Sequence, residues 1–399
     1  MDPPASFSSL PPELVSRICS DPGLKKEDLI ALRFTSKSGH IHASATKAFG
    51  KLCFTQVPLL YTEYSLETFL KICSHSVFGP GIRTVELSCN RFDVGSFGPF
   101  VKDLVDCDYM LKDLVDQIQL LSARCDAEGL FDVSRARALL ERAFAHLANS
   151  HHSLTICVST SENPAIGCRR IFQQNFESPR FYADVPSALT LLLESAKQSG
   201  CKTPKLDIKT RSHRFSHGRD YDLSNLMHSI SDVSLELILT HRSGLDEYRD
   251  FLLWMKDLLS HATNMKILKA RQMDFDERFD GGLAQVISQL PLEELRLVDT
   301  RMTQKAMIDL SRNLGSTLRR LTISCCDISG SWGEILVSIQ QNCDQLNYFF
   351  ISAKDLSWLR YPTTYRTYEG TTAVRLGLEG LVQAEQREAE FLAYQSDED

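Results

Sequence analysis

A chain of 399 residues is long enough for one large or two to three ordinary domains, and its 43% hydrophobic and 24% charged residues are those of an ordinary globular protein. A formal charge of −7 argues against nucleic-acid binding, which needs a concentrated positive surface, and no stretch approaches the roughly 18 apolar residues of a membrane span. The start Met1-Asp2-Pro3-Pro4 lacks the features of a signal peptide, and the 12 cysteines are scattered without a Cys-x-x-Cys pair, so the expectation is reduced thiols in a cytoplasmic or nuclear protein.

Residues 7–54 form the first block. Phe7 and Leu10 precede Pro11-Pro12-Glu13-Leu14-Val15-Ser16-Arg17-Ile18. Proline is tolerated in a first helical turn, Glu13 complements the positive end of the helix dipole, and Leu14 and Ile18 stand four apart on one face. Asp21-Pro22-Gly23 ends that helix. A second is predicted from Lys26 to Phe34 with Leu29 and Leu32 facing inward. A third is predicted from about Lys37 to Lys51, with Ile41, Ala45, Ala48 and Phe49 at helical spacing. Three short helices bury little surface alone, so the block is expected to lean on the rest of the chain or on a partner.

This block resembles the F-box family, through Leu10-Pro11-Pro12-Glu13-Leu14, Ile18, Leu29-Ile30-Ala31-Leu32-Arg33-Phe34-Thr35-Ser36-Lys37 and Phe49. The tryptophan often found at the end of that motif is replaced by Phe49 or Phe54, and the first helix runs into Asp-Pro-Gly. The resemblance implies docking on the Skp-type adaptor of a cullin–RING ubiquitin ligase. Carried over residue by residue, the docking set is Leu10, Pro11, Leu14, Ile18, Leu29, Leu32 and Phe49. The bottom-up alternative is a plain helical cap on the body that follows.

The body, residues 60–358, opens with Ile82-Val85-Leu87-Phe92, apolar positions spaced +3, +5 and +10. Helical stretches are expected over 101–105, 111–121 and 135–147, then a strand at Leu154–Val158, an amphipathic segment at 185–197, and strands at Leu206–Ile208 and Leu235–Leu239, either as long repeats with enlarged convex-side helices or as an inserted helical subdomain. The same template then recurs four times: Met265-Leu268-Ala270-Phe275, Leu292-Leu295-Leu297-Met302, Leu318-Leu321-Ile323-Ile328 and Leu346-Phe349-Ile351-Leu356. The steps of 27, 26 and 28 residues fall in the leucine-rich-repeat range. Helices are predicted between the strands over 282–290, 304–314 and 332–342, the last opened by the capping spacing Ser331-x-x-Glu334. The fold class implied is α/β: a three-helix F-box-like module, then a leucine-rich-repeat-like solenoid with a curved, mostly parallel sheet and convex-side helices. Residues 359–399 read as a C-terminal loop, extended or loop-like at 361–365, a charged helix over 374–394 and an acidic tail.

Side chains alternate along a strand, so positions +2, +4 and +6 of each repeat point away from the core. They are Ile267, Lys269 and Arg271; Glu294, Arg296 and Val298; Arg320, Thr322 and Ser324; Tyr348, Phe350 and Ser352. Arginines beside aromatics are favoured at protein interfaces, and the client-binding candidates are Lys269, Arg271, Arg296, Arg320, Tyr348 and Phe350. A solvated sheet face is the plainer reading. A separate basic run, Lys205 to Arg219, reads as a solvated strand end and loop or as a site for an acidic or phosphorylated segment. No phosphate loop, Gly-x-Ser-x-Gly elbow or His-Glu-x-x-His is present; His213 and His217 lack partner ligands, His151-His152 has no evident partner, and Cys325-Cys326 sits in a turn. No cofactor, metal, nucleic acid or membrane is implied. The function expected is a non-catalytic substrate adaptor of an SCF-type ligase, its partners the Skp-type adaptor, the cullin complex and a protein client. The alternative is a repeat scaffold outside any ligase; a hydrolase or transferase would instead require a deep polar pocket with perturbed titratable groups.

Overall fold

The structure is a computed structural model and describes residues 10–35, 39–92, 132–150, 153–160, 166, 181–211, 223–238, 245–275, 282–352 and 365–396. The helices expected over 101–121, the basic loop after Arg211, His151-His152, Leu356, Trp358 and the tail 397–399 lie outside the described residues. In chain order the elements begin with α1 (Pro12–Cys19), α2 (Lys26–Thr35), α3 (His40–Phe54), β1 (Gln56–Leu59), α4 (Glu63–Ser74), β2 (Thr84–Ser88) and β3 (Asn90–Phe92). There follow α5 (Val133–Ala148), β4 (Ser153–Ser159), β5 (Phe181–Ala183), α6 (Val185–Gln198), β6 (Lys202–Arg211), α7 (Ser224–Met227), β7 (Asp232–Ile238) and α8 (Leu245–Ser260). The repeats supply β8 (Ile267–Arg271), β9 (Asp274–Phe275), α9 (Leu283–Ile287), β10 (Glu294–Val298), β11 (Arg301–Thr303) and α10 (Gln304–Leu314). The chain closes with β12 (Arg320–Ser324), β13 (Asp327–Ser329), α11 (Trp332–Asn342), β14 (Tyr348–Ser352), β15 (Tyr365–Glu369) and α12 (Thr371–Ser396).

The fold is α/β. Ten strands form one sheet in the order β1-β2-β4-β6-β7-β8-β10-β12-β14-β15, mostly parallel, with β15 antiparallel to β14. The chain's contacts divide it into two compact units, Met1–Cys157 with Glu162–Arg180 and Leu191–Thr203, and Val158–Ser161 with Phe181–Thr190 and Pro204–Asp399.

In the first unit, α1, α2 and α3 enclose a small core of Val15, Cys19, Leu29, Ile41 and Ala45, with Leu10, Leu24, Leu32, Ala48 and Phe49 packed partly buried against it. Helix α1 starts where the sequence predicts: Pro11 caps it, Pro12 takes the first turn, and the N–H groups of Leu14 and Val15 donate to the Pro11 carbonyl. Helix α3 then leans on the following segment through aromatic contacts. Phe49 meets Phe54 edge-on at 6.0 Å, Phe54 lies 4.9 Å from Phe78, and His75 stacks on Phe78 at 4.1 Å. Gly50 makes this approach possible, since a Cβ there would come within 2.9 Å of the Phe78 ring.

In the second unit each repeat buries its template. Met265, Leu268, Ala270 and Phe275, and their counterparts through Ile351, are all buried. The parallel register aligns Leu268, Leu295, Leu321 and Phe349 in one row across β8, β10, β12 and β14. In the first three repeats the chain leaves the strand at +7 through a left-handed residue: Gln272 (φ 56°), Asp299 (φ 51°) and Cys325 (φ 56°). The Gln272 N–H donates to the Val298 carbonyl and the Asp299 N–H to the Ser324 carbonyl, each at 2.9 Å, so successive turns stack as the strands do. The segments beyond pair as a second, three-stranded sheet, β13-β11-β9.

Helices α10 and α11 match their predicted bounds, and Ser331 Oγ accepts the Glu334 N–H at 3.4 Å. Helix α9 is shorter than 282–290, because Gly282 stands at φ 91° and the chain turns before Pro291. The stretch read as extended or loop-like runs into a strand at Tyr365: β15 pairs all five of its residues with β14, and Tyr368 stacks on Phe349 at 6.3 Å. Helix α12 follows a left-handed Gly370 and buries Val374, Leu378 and Leu381, packing on α11.

Candidate functional site

The docking set inferred for the N-terminal module divides in two. Leu14 and Ile18 retain 47% and 40% of their surface, whereas Leu29 retains 2%. All four of Leu14, Val15, Ile18 and Cys19 are apolar; Val15 and Cys19 turn inward and the Leu14–Ile18 pair faces outward, beside exposed Pro11. Leu29 belongs to the core of the module, so it holds the helices together and offers no surface for docking. Leu10 and Leu32 are partly buried against that core. Phe49 is engaged within the chain: the Arg33 guanidinium lies 4.7 Å over its ring, and Phe54 and Phe78 flank it. Two exposed apolar side chains were not in the set, Phe34 on α2 and Leu52 on α3. Phe34 sits within the family-like run itself, and Leu52 lies past the predicted end of its helix, where periodicity gave no reason to place it outside.

On the second unit, the six client-binding candidates share one face of the sheet. Register places Lys205, Asp232, Ile267, Glu294, Arg320, Tyr348 and Glu369 in one row. The next row runs Asp207, Ser234, Lys269, Arg296, Thr322, Phe350 and Thr367, and the third runs Lys209, Glu236, Arg271, Val298 and Ser324. Lys205 and Lys209, from the basic run read separately in the sequence, therefore lie on the same face as Lys269 and Arg271.

The charges of this face are paired across strands. Lys269 and Lys205 approach Asp232 at 3.3 and 3.6 Å, and Arg271 approaches Glu236 at 3.3 Å. Glu294 receives Arg296 along its own strand and Arg320 at 3.5 Å from the next. The Arg320 guanidinium also lies 4.1 Å over the Tyr348 ring, and Phe350 stacks with Tyr365 at 6.1 Å. Burial pushes the Asp207 carboxyl above its ordinary range; Lys209, Lys269 and Lys205 pull it down, and Asp232 pushes it up.

A hollow of about 610 Å³ opens at the strand-entry ends, lined by Ser231, Asn264, Lys266, Pro291, Glu293, Ser316, Thr317, Arg319 and Gln345. Lys266 Nζ donates to Glu293 at 2.8 Å and, with the nearby Arg319, holds that exposed carboxyl below its usual range. A carboxyl shifted down in this way is a weak proton donor or acceptor near neutrality. The described cysteines are free thiols, and burial pushes Cys343 up to about 12 and Cys201 up to about 11, which keeps both protonated. Among the described residues no group of three or more His, Cys, Asp or Glu is placed to hold a metal ion, and no described helix is long and apolar enough to cross a membrane. No protein-family model and no curated protein matches this chain.

Proposed function

We propose that this chain is the substrate-recognition adaptor of an SCF-type cullin–RING ubiquitin ligase, its N-terminal module docking on a Skp-type adaptor and its repeat sheet holding a protein client. The observation that carries the reading is the Leu14–Ile18 pair, exposed on a module whose core is already closed by Val15, Cys19, Leu29, Ile41 and Ala45. A module that keeps two large aliphatic side chains outside a completed core has surface to offer a second protein.

The energetics set a condition on this reading. Burying the 47% and 40% of surface that Leu14 and Ile18 still expose gives roughly 1–3 kcal/mol together, since about 1.5–3 each applies to a fully exposed side chain. Lost translational and rotational freedom takes about 4–15 kcal/mol. The pair alone is therefore insufficient, and Phe34, Leu52 or Pro11 must add to the contact. The action proposed is geometric. Holding a client near the charged ubiquitin-conjugating enzyme turns a bimolecular transfer into an effectively intramolecular one. The chain itself supplies no reacting group.

The test is co-purification with the Skp-type adaptor. Leu14→Asp with Ile18→Asp is expected to abolish capture while leaving the helical content of the chain unchanged, since both side chains lie outside the core. Capture that survives the double substitution sinks the ligase reading and leaves a repeat scaffold of the same fold.

A further inference from the structure

The outward face of β6, β7, β8, β10 and β12 sorts its charges by depth. The side chains of Asp232 and Glu294 retain only 9% and 13% of their surface, while those of Lys205, Lys269, Arg271, Arg296 and Arg320 retain between 37% and 58%. Each of these two carboxylates lies between two cations, so the acids form an underlayer and an incoming molecule meets ammonium and guanidinium groups first. Among the described side chains on this face of these strands six cations stand against four carboxylates, with Asp299 just past β10 also reaching Arg271 at 3.8 Å, in a chain whose formal charge is −7. The face is locally the reverse of the whole.

Three of the cations form a line. Arg271 on β8, Arg296 on β10 and Arg320 on β12 each sit two residues nearer the strand start than the one before, because Arg271 is level with Val298 and Arg296 with Thr322. Strands about 4.8 Å apart and a step of two residues place neighbouring Cα atoms on this diagonal roughly 8 Å apart. An extended peptide presents same-face side chains every ~6.6 Å, a mismatch that long guanidinium arms span. Arg296 and Arg320 make their closest approach to Glu294 through Nε. Arg271 is met by Glu236 at Nη1 (3.3 Å) and by Asp299 at Nε (3.8 Å), so an incoming carboxylate competes with these two there. Tyr348 beneath Arg320 holds one end of the line in place.

We infer that this diagonal seats an acidic peptide, an extended segment carrying Asp or Glu at alternate positions. Calling that segment part of a client rests on the adaptor reading; the binding itself does not. The underlayer of Asp232 and Glu294 offsets the repulsion among the cations when nothing is bound, and leaves a net attraction for carboxylates.

The probe is a fluorescein-labelled peptide of about ten residues alternating Glu and Ser, which at roughly 3.3 Å per residue outreaches the diagonal. Its anisotropy is titrated with the full chain. Saturable binding is expected, weakening as the Debye length falls from about 8 Å at 0.15 M salt to 3 Å at 1 M. The triple variant Arg271→Gln, Arg296→Gln, Arg320→Gln should bind at least about tenfold more weakly, a loss of ~1.4 kcal/mol or more. Replacing the same three by Lys, which keeps the charge and loses the fork, should fall between. Arg312→Gln, on α10, should bind as the parent does. Thermal melting of each variant separates lost binding from lost fold. No saturable binding, undiminished binding by a folded triple-Gln variant, binding only when Ser is phosphorylated, or tighter binding of a single-stranded DNA of equal charge would each overturn the inference. Adaptor co-purification is a separate readout, so failure here and failure of the ligase reading are distinguishable.

Discussion

Single residues carry two kinds of strain in the repeat unit, one conformational and one electrostatic. The left-handed +7 residues Gln272, Asp299 and Cys325 repeat at 27 and 26 residues, and none is glycine. Turn stacking is what holds them there, because each leaves the strand at the same height as its neighbour. Cys325, the first of the adjacent cysteines, is thereby explained as a turn residue. Asp207 carries the electrostatic strain. Its folded pKa lies above the ordinary carboxyl value because burial outweighs the surrounding lysines. The folded state therefore binds its proton more tightly than the unfolded state, and stability is lost as pH rises from about 3.9 through the raised value. Asp207→Asn removes that loss. The variant should melt about 1–3 °C above the parent at pH 7, with the gap closing as pH falls below the ordinary carboxyl range. Melting below the parent at pH 7 would mean that attraction to Lys205, Lys209 and Lys269 outweighs burial. The same substitution should also tighten binding of the acidic probe.

Elements differ in how far their place could be read from the sequence, and the reason is where the information resides. The template residues of the four repeats mark a core row directly, and α10 and α11 follow from the spacing between strands. β15 could not be read, because a strand of Tyr365-Arg-Thr-Tyr-Glu369 becomes one only by pairing with β14, and no local pattern specifies a partner. The direction of α1 could not be read either: Leu14–Ile18 and Val15–Cys19 are both apolar pairs at helical spacing, and only packing on α3 decides which turns in. On the sheet face, alternation predicts which side chains point outward. The carboxylate underlayer depends on registers joining residues dozens of positions apart, which alternation does not contain. Helix α12, predicted as a charged helix in the C-terminal segment, packs against the last repeat helix through Val374, Leu378 and Leu381. A terminal repeat needs such a cover, since its apolar face has no further neighbour. Leu378→Ala should accordingly lower stability by about 2–5 kcal/mol, while Leu376→Ala, one turn face away and exposed, should stay within about 0.5 kcal/mol. Denaturant midpoints measure both, and equal effects at the two positions would mean that α12 is not a structural cover.

At the scale of the whole molecule, the two proposed surfaces belong to different compact units, the Leu14–Ile18 pair to the first and the arginine diagonal to the second. A tethering device works when each end binds independently, because only then does occupancy of one end leave the affinity of the other intact. Coupling between sites is a free energy and is reciprocal: any change the adaptor made in client affinity would be returned as the same change in adaptor affinity. Sites without shared partners usually act additively to within about 0.3–0.5 kcal/mol, which corresponds to roughly a twofold change in affinity. Saturating the chain with a Skp-type adaptor should therefore shift the dissociation constant of the acidic probe by less than about twofold. Leu14→Asp with Ile18→Asp should leave probe binding at the parental value, and the triple arginine variant should still be captured by the adaptor. The measurement is the anisotropy titration repeated with and without adaptor, on the parent and on both variants. A shift beyond about fivefold, roughly 1 kcal/mol, would show that adaptor docking reaches the sheet, and the chain would then have to be understood as a switch whose two ends regulate each other.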